Sequence, residues 1–321
     1  MTTIIEPPIG DVIETDYGMQ PQPQAQPISY AVAPQHRVEQ VIRQRKRPFR
    51  VGQVFLYAIL GLLTLIYIYP FILSIMTSFK TDADAVANPL SLIPTTWSLD
   101  AYRRLFVNSD FPLWFRNSII VTLFVTAGRV FFNCLAGYAL ARLEFHGRKP
   151  VFAFLVAIMA VPGVVLLIPR FLVITNLGMF NTWWGLIIPL LVDAAGVFIM
   201  KGFFESIPAS VEEAARLDGA GTFRIFWSVV LPMAVPAVIT ITILSFQGSW
   251  NELSHFIVAS NNPAFTTLTR GVAALASGQL GQGSQFPLRL GAAVIMTIPV
   301  AIMFFIFQKR IMNTTGGAVK G

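Results

Sequence analysis

The residues best placed to do chemistry in this chain are polar groups set among long apolar runs. Ser210-Val211-Glu212-Glu213 has the spacing of a capping box, in which the Ser210 hydroxyl takes the orphan amide of Glu213 while Glu213 reaches back. The spacing predicts a short helix that starts at Val211 and ends after about two turns. Both glutamates then lie in the first turn, where the helix dipole favours negative charge, and Gly219 falls where a left-handed C-terminal cap is expected. Ala214 and Ala215 offer a face poor in side chains that another protein could approach closely. Asp218, a carboxylate in the last turn, opposes the dipole and points to a turn or a partner contact. A helix this short is marginal in water and needs something to pack against.

Two further groups sit inside apolar stretches. Arg129 and Asp193 are 64 positions apart, yet each falls near the middle of an apolar run, so they share a depth. Charges at such depth face a bundle interior and find partners, which leads us to expect an intramembrane ion pair, the alternative being that each faces a wet cavity or bonds backbone carbonyls. Gln247-Gly248-Ser249-Trp250-Asn251-Glu252 interrupts the apolar stretch from Ile225 to Ser260. Its aromatic face and flanking hydrogen-bonding groups suit a saccharide in a water-filled path, with Gln247, Trp250, Asn251 and Glu252 as candidates. The competing reading makes Trp250 an anchor at the membrane boundary.

Other chemistries find no support. A phosphate-cradling loop needs Gly-Lys followed by Ser or Thr, and the chain has no Gly-Lys dipeptide. Gly219-Ala220-Gly221-Thr222-Phe223-Arg224 begins like a dinucleotide loop but has Arg at the third glycine position and no preceding strand. His36, His146 and His255 are too far apart for local metal spacing and read as interfacial residues. Cys134 is the only cysteine, so no disulfide or cysteine-based metal site forms within the chain. Nothing resembles a nucleophile with its base, so the chain is not read as an enzyme, and no cofactor is expected in it.

Composition dictates what must hold these groups in place. The chain is 55% hydrophobic and 12% charged, with 27 Phe, whereas a soluble domain is roughly 25% charged. An all-α, polytopic membrane protein is expected, because the apolar runs are continuous and lack strand alternation. Six spans of about 20 residues fit at 53–76, 117–141, 151–174, 183–203, part of 226–259 and 289–308. The first run begins too far in and is too long for a cleaved signal peptide, so a retained anchor is expected. With both termini cytoplasmic, the inner segments hold about twice as many Lys and Arg as the outer ones, from Arg43, Arg45, Lys46, Arg47 and Arg50 to Arg142, Arg148, Lys149, Lys201, Arg216 and Arg224. Residues 1–50 read as a disordered cytoplasmic tail, rich in proline and ending in a basic juxtamembrane segment, and residues 51–321 as the membrane domain. The net charge of +7 reflects orientation and attraction to anionic membrane lipid rather than nucleic-acid binding. Residues 261–288, rich in Gly, Ser, Thr and Gln, are expected to form an external loop.

The segment 205–225 carries a family resemblance. Glu213-Ala214-Ala215, Asp218-Gly219-Ala220 and Leu231-Pro232, with Gly202-Phe203-Phe204-Glu205-Ser206-Ile207-Pro208 ahead and Pro236 behind, resemble the EAA coupling loop of ABC-importer permeases. They look most like the smaller membrane subunit of the maltose-type carbohydrate permeases. Ser78-Phe79-Lys80-Thr81, Trp97-Ser98-Leu99-Asp100-Ala101-Tyr102, Asn117-Ser118 and the ending Gly316-Gly317-Ala318-Val319-Lys320-Gly321 extend the resemblance over residues 50–321. It implies a sugar or oligosaccharide importer in a bacterial or archaeal cytoplasmic membrane, built with a second permease subunit, two ATPase subunits that bind ATP and Mg, and an extracytoplasmic solute-binding protein. Ser210, Glu213, Ala214, Ala215, Asp218 and Gly219 would then form the contact with the ATPase. An ABC importer for a non-sugar solute and an ion-coupled secondary transporter remain as alternatives.

Overall fold

The computed structural model describes residues 51–277 and 285–317. The N-terminal tail with its basic segment, residues 278–284 and the last four residues lie outside the described residues. By its internal contacts the chain divides at residue 60, and what is described of the first unit is the opening turns of helix α1 (Val51–Ser78). Among the described residues all regular structure is helical, as the apolar runs demand where no water satisfies the backbone.

Four helices are long and apolar enough to cross a membrane: α1, α4 (Phe111–Arg142), the stretch Trp183–Ser206, and α14 (Phe286–Gly317). Two bent pairs bring the number of spans to as many as six. The first bent pair falls on the span expected at 151–174 and shows that it is not straight. Helix α5 (Arg148–Met159) stops, and α6 (Gly163–Asn176) leaves at 104° to it. Pro162 lacks an amide to continue α5 and biases Val161 away from helical backbone.

The second pair corrects the break expected at 247–252. Helix α10 (Thr222–Met233) and α11 (Val235–Trp250) meet at 80° around Ala234, and α11 then runs unbroken through Gln247 and Gly248. Pro236 has no amide to give the Pro232 carbonyl and its ring crowds that group, while a π-helical turn at Phe226–Val230 loosens the approach. The stretch 183–206 is not one regular helix either. Helix α7 (Trp183–Ile187) gives way to a tight 3₁₀ turn at Ile188–Leu190 that contains Pro189, and α8 (Ala194–Ser206) starts afresh beyond Asp193.

Helix α4 is the centre of the bundle, with α8 and α11 along its sides. Lipid is as apolar as Leu, so these helices are drawn together by close packing rather than by hydrophobic exclusion. Glycines permit it. A Cβ at Gly137 would come within 2.7 Å of Met200 Cβ, one at Gly128 would strike Leu191, and one at Gly196 would strike the Asn133 amide.

At the Asn117 end of α4 the short phrases of the sequence fold onto one another. Lys80, fully buried, donates to the carbonyls of Asn88 and Ser91 at 2.7 Å each. The Thr81 hydroxyl caps α2 (Asp82–Ala87), and Ser78 Oγ lies 2.7 Å from the Tyr102 hydroxyl of α3 (Asp100–Val107). The Asn88 amide, aided by Thr95 and Lys80, holds the Asp84 carboxyl below its ordinary range. The expected external loop at 261–288 contains a helix, α13 (Leu268–Ala276), whose Gly271 packs against the Trp114 ring. Asn117 donates to the carbonyls of Ala264 and Thr266, and the Ser118 hydroxyl accepts the Leu268 amide, so two polar groups that open the apolar run pin that segment.

Candidate functional site: an anchored surface helix and a polar break

The surface helix α9 spans Ala209–Leu217. It starts two residues before the expected Val211, and the capping box does not form. Pro208 occupies the N-cap position with φ −57°, no side chain caps the first turn, and Ser210 lies exposed within the helix. The reason is tertiary. Arg142, the last residue of α4, donates to the Phe204 carbonyl at 2.6 Å and also to the Ile207 carbonyl, which fixes the chain as it enters Pro208.

The same arginine sets the rotation of α9. Glu212, not Glu213, turns inward: its side chain is 4% exposed, and its carboxylate meets Arg142 Nε at 3.0 Å. That approach is a charge contact rather than an aligned hydrogen bond. The Tyr138 hydroxyl donates to the other carboxylate oxygen at 3.3 Å, and Arg216, one turn on, approaches it at 3.4 Å. Phe204, Ile207, Ile225 and Phe226 close the apolar core around this cluster, and Ala215 and Ala220 pack against it. Ala215 is half-buried against its own subunit's core, whereas Ala214 beside it is exposed.

The C-terminal end follows the expectation. Gly219 has φ +79°, its amide bonds the Arg216 carbonyl, and the Ala220 amide reaches back to Ala215, which is the paired Schellman arrangement around Asp218. Ser210, Glu213, Ala214, Leu217 and Asp218 are exposed. Leu217 is 90% exposed and Phe223 70%. Sequence reasoning missed Glu212, Arg142, Tyr138 and Leu217. The one available signal was the four-residue spacing of Glu212 and Arg216.

The 247–252 group separates into two kinds. Trp250 is 2% exposed, stacks on Phe246, and gives its indole N–H to the Met296 carbonyl at 3.0 Å. It is a core residue, neither path-lining nor an interface anchor, because α11 continues past the expected break and turns the ring toward α14. Glu252 accepts the His255 amide at 2.9 Å and so starts α12 (Ser254–Ala259). Gln247 and Asn251 are exposed. His255, expected at an interface, is fully buried with Nε2 at 3.1 and 3.2 Å from the carbonyls of Gly185 and Leu186.

The fold brings Arg129 and Asp193 together. Arg129 Nε donates to the Leu190 carbonyl at 2.7 Å and lies 3.8 Å from Asp193 Oδ2. Asp193 caps α8 through the Gly196 amide at 2.7 Å, and its other oxygen accepts from Asn133 at 3.0 Å.

The described residues hold an anchored helix with an exposed apolar edge and a charged pair at a helix break, an arrangement suited to docking and to a polar route through apolar surroundings. Comparison with known proteins identifies the family. The model of the family described as binding-protein-dependent transport system inner membrane component matches residues 133–313. The polygalacturonan/rhamnogalacturonan transport system permease protein YtcP of Bacillus subtilis is 34% identical over 285 residues, covering 85% of this chain and 99% of that protein. The sulfoquinovosyl glycerol transport system permease protein SmoH of Agrobacterium fabrum is 35% identical over 260 residues, 79% of this chain and 89% of that one. A chain in the crystal structure of a bacterial ABC transporter involved in import of the acidic polysaccharide alginate superposes with a TM-score of 0.71 at 27% identity, over 82% of this chain and 99% of that chain. With the family model spanning more than half of its residues, this chain belongs to the inner membrane components of binding-protein-dependent transport systems, the permeases of ABC importers.

Proposed function

We propose that this permease moves a sugar or oligosaccharide inward and is driven through α9 by a separate ATPase that binds ATP and Mg. The observation that carries the coupling is the division of labour on α9: Glu212 is locked to Arg142 at the end of α4, while Glu213, Ala214 and Leu217 stay exposed for a partner. A surface helix fastened by a buried charge transmits a push to the membrane helices instead of fraying. The sugar assignment is supported by the relatives, which are named for polygalacturonan/rhamnogalacturonan, sulfoquinovosyl glycerol and arabinooligosaccharide transport. A second permease, two ATPase subunits and an extracytoplasmic solute-binding protein complete the proposed importer, with both termini of this chain cytoplasmic.

The coupling reading is tested on Gly219. A Cβ there meets nothing within 4 Å, so the whole penalty of Gly219→Val comes from its φ of +79°, about 1–2 kcal/mol. The cap should open while the membrane domain stays inserted, and uptake per assembled complex is expected to fall at least about fivefold. Glu213→Lys, which touches only the exposed face, should do the same. Normal labelled-sugar uptake by both variants at matched protein levels would remove α9 from the coupling path.

Orientation is tested in a Cys134→Ser background with single cysteines at Ala214 and Ser277, both exposed and at opposite ends of the bundle. An impermeant external reagent is expected to label Ser277→Cys in intact cells and Ala214→Cys only after the cells are opened. Labelling of both in intact cells contradicts the topology.

A further inference from the structure

The polar break holds more than a structural pair. A cavity of about 240 Å³ opens beside it, lined by Arg129, Asp193, Ile199, Ile241, Leu244 and Ser245 from α4, α8 and α11. The Asp193 side chain is 31% exposed and Leu244 50% exposed, so the cavity opens on a face that the described residues do not cover. Exposed Gln247, Gly248 and Asn251 continue that face along α11. A charged pair facing lipid at this depth is costly, so this face turns toward the interior of the importer, where the second permease and the solute's route lie. The open cavity and the exposed polar groups beside it suit the route.

The orientation of the guanidinium says what it receives there. Arg129 is held by its Nε edge, on the Leu190 carbonyl and beside Asp193. Among the described residues its terminal nitrogens Nη1 and Nη2 have no hydrogen-bond partner. Both Asp193 oxygens are already engaged, by the Gly196 amide and the Asn133 side chain. Asp193 thus steadies the arginine without occupying its fork. Gly248 keeps the approach clear, since a Cβ there would come within 3.2 Å of Nη1. A planar fork with two parallel N–H groups matches a carboxylate, which takes both.

The geometry points to Arg129 as a subsite for the carboxylate of an acidic saccharide passing through this permease, a reading that rests on the proposal that the cargo is a sugar. Gly248 gives the subsite its clearance and Asp193 its orientation. Neutral sugars pass the same face without using the fork.

The test compares labelled digalacturonate with its neutral counterpart, a galactose disaccharide, taken up by cells that express the complete importer and lack other routes for either. The acid-to-neutral uptake ratio is the readout, because it cancels any loss of assembled protein. Arg129→Gln is expected to lower that ratio about tenfold, the worth of one charge-assisted bond pair. Arg129→Lys, which keeps the charge but not the fork, should fall between Arg129→Gln and wild type. Gly248→Ala, which leaves both charges in place, should raise KM for digalacturonate more than KM for the neutral disaccharide, and so lower the same ratio. A ratio unaltered in all three variants overturns the subsite and leaves sugar import standing. Wild-type cells that take up neither of these nor any of a panel of neutral and acidic oligosaccharides overturn the sugar reading and the subsite with it.

Discussion

Glu212→Leu is expected to lower the amount of assembled permease more than any substitution on the exposed face of α9. It strands the Arg142 guanidinium in a core closed by Phe204 and Phe226. Removing one partner of a buried charge pair costs about 3–5 kcal/mol, a large share of the roughly 5–15 kcal/mol that stabilises a typical fold. Arg142→Leu should be at least as harmful, because it frees the Phe204 and Ile207 carbonyls as well as the carboxylate. The double substitution Arg142→Leu/Glu212→Leu should recover only part of the loss, since it restores charge balance but leaves the Ile207 carbonyl without the arginine, while Phe204 keeps only the Ile207 amide. Exchanging the charges, Arg142→Glu with Glu212→Arg, should recover nothing, as a carboxylate would then face those carbonyls. Gel filtration of detergent-extracted protein measures the assembled fraction. Wild-type levels for either single variant would show that the pair does not anchor α9.

At the polar break the two partners are expected to behave unequally. Asp193→Leu removes the cap of α8, the acceptor for Asn133 and the neighbour of Arg129 at once. Arg129→Leu leaves Asp193 with two of its three contacts. The side chains are 14% and 31% exposed, so the costs should fall below the fully buried range, about 2–3 kcal/mol for Asp193→Leu and about half that for Arg129→Leu. Asp193→Asn, which keeps an acceptor for the Gly196 amide, should be milder than Asp193→Leu. The Arg129→Leu/Asp193→Leu protein should be recovered in greater amount than Asp193→Leu alone. Strict additivity of the two losses in thermal unfolding would mean that the charges do not interact.

The helical class and the position of α9 were legible because they depend on composition and spacing. Apolar runs too long for a soluble core demand helices, and Gly219 marks a helix end whatever surrounds it. The directions of the helices were not legible. Hydropathy is blind to a bend, and Pro162, Pro189 and Pro236 are each as compatible with a straight packed span as with a break. On α9 the local pattern was itself misleading: Ser210 and Glu213 have a capping-box spacing, yet Arg142, 70 residues earlier, pulls Glu212 inward and starts the helix sooner. Trp250 failed for a similar reason. An aromatic beside Asn and Gln suits a sugar face, an interface or a core equally well, and the Met296 carbonyl that decides among them lies 46 positions away. Arg129 and Asp193 could be paired from depth alone, but the cavity beside them depends on how three helices splay.

Helix α4 is one continuous run of 32 residues, unlike the broken helices around it. At about 1.5 Å per residue it measures roughly 48 Å, and hydrogen-bonded turns scarcely stretch. Its last residue grips α9, and Asn117 and Ser118 near its start grip the segment Ala264–Leu268. A shove on α9 is therefore not lost as compression. It arrives at the opposite face of the membrane as a swing, and a tilt of about 5° over that length displaces the far end by about 4 Å, more than the width of a hydrogen bond. Under the proposed coupling through α9, events at the nucleotide and at the solute's entrance would be the two ends of one stiff oar.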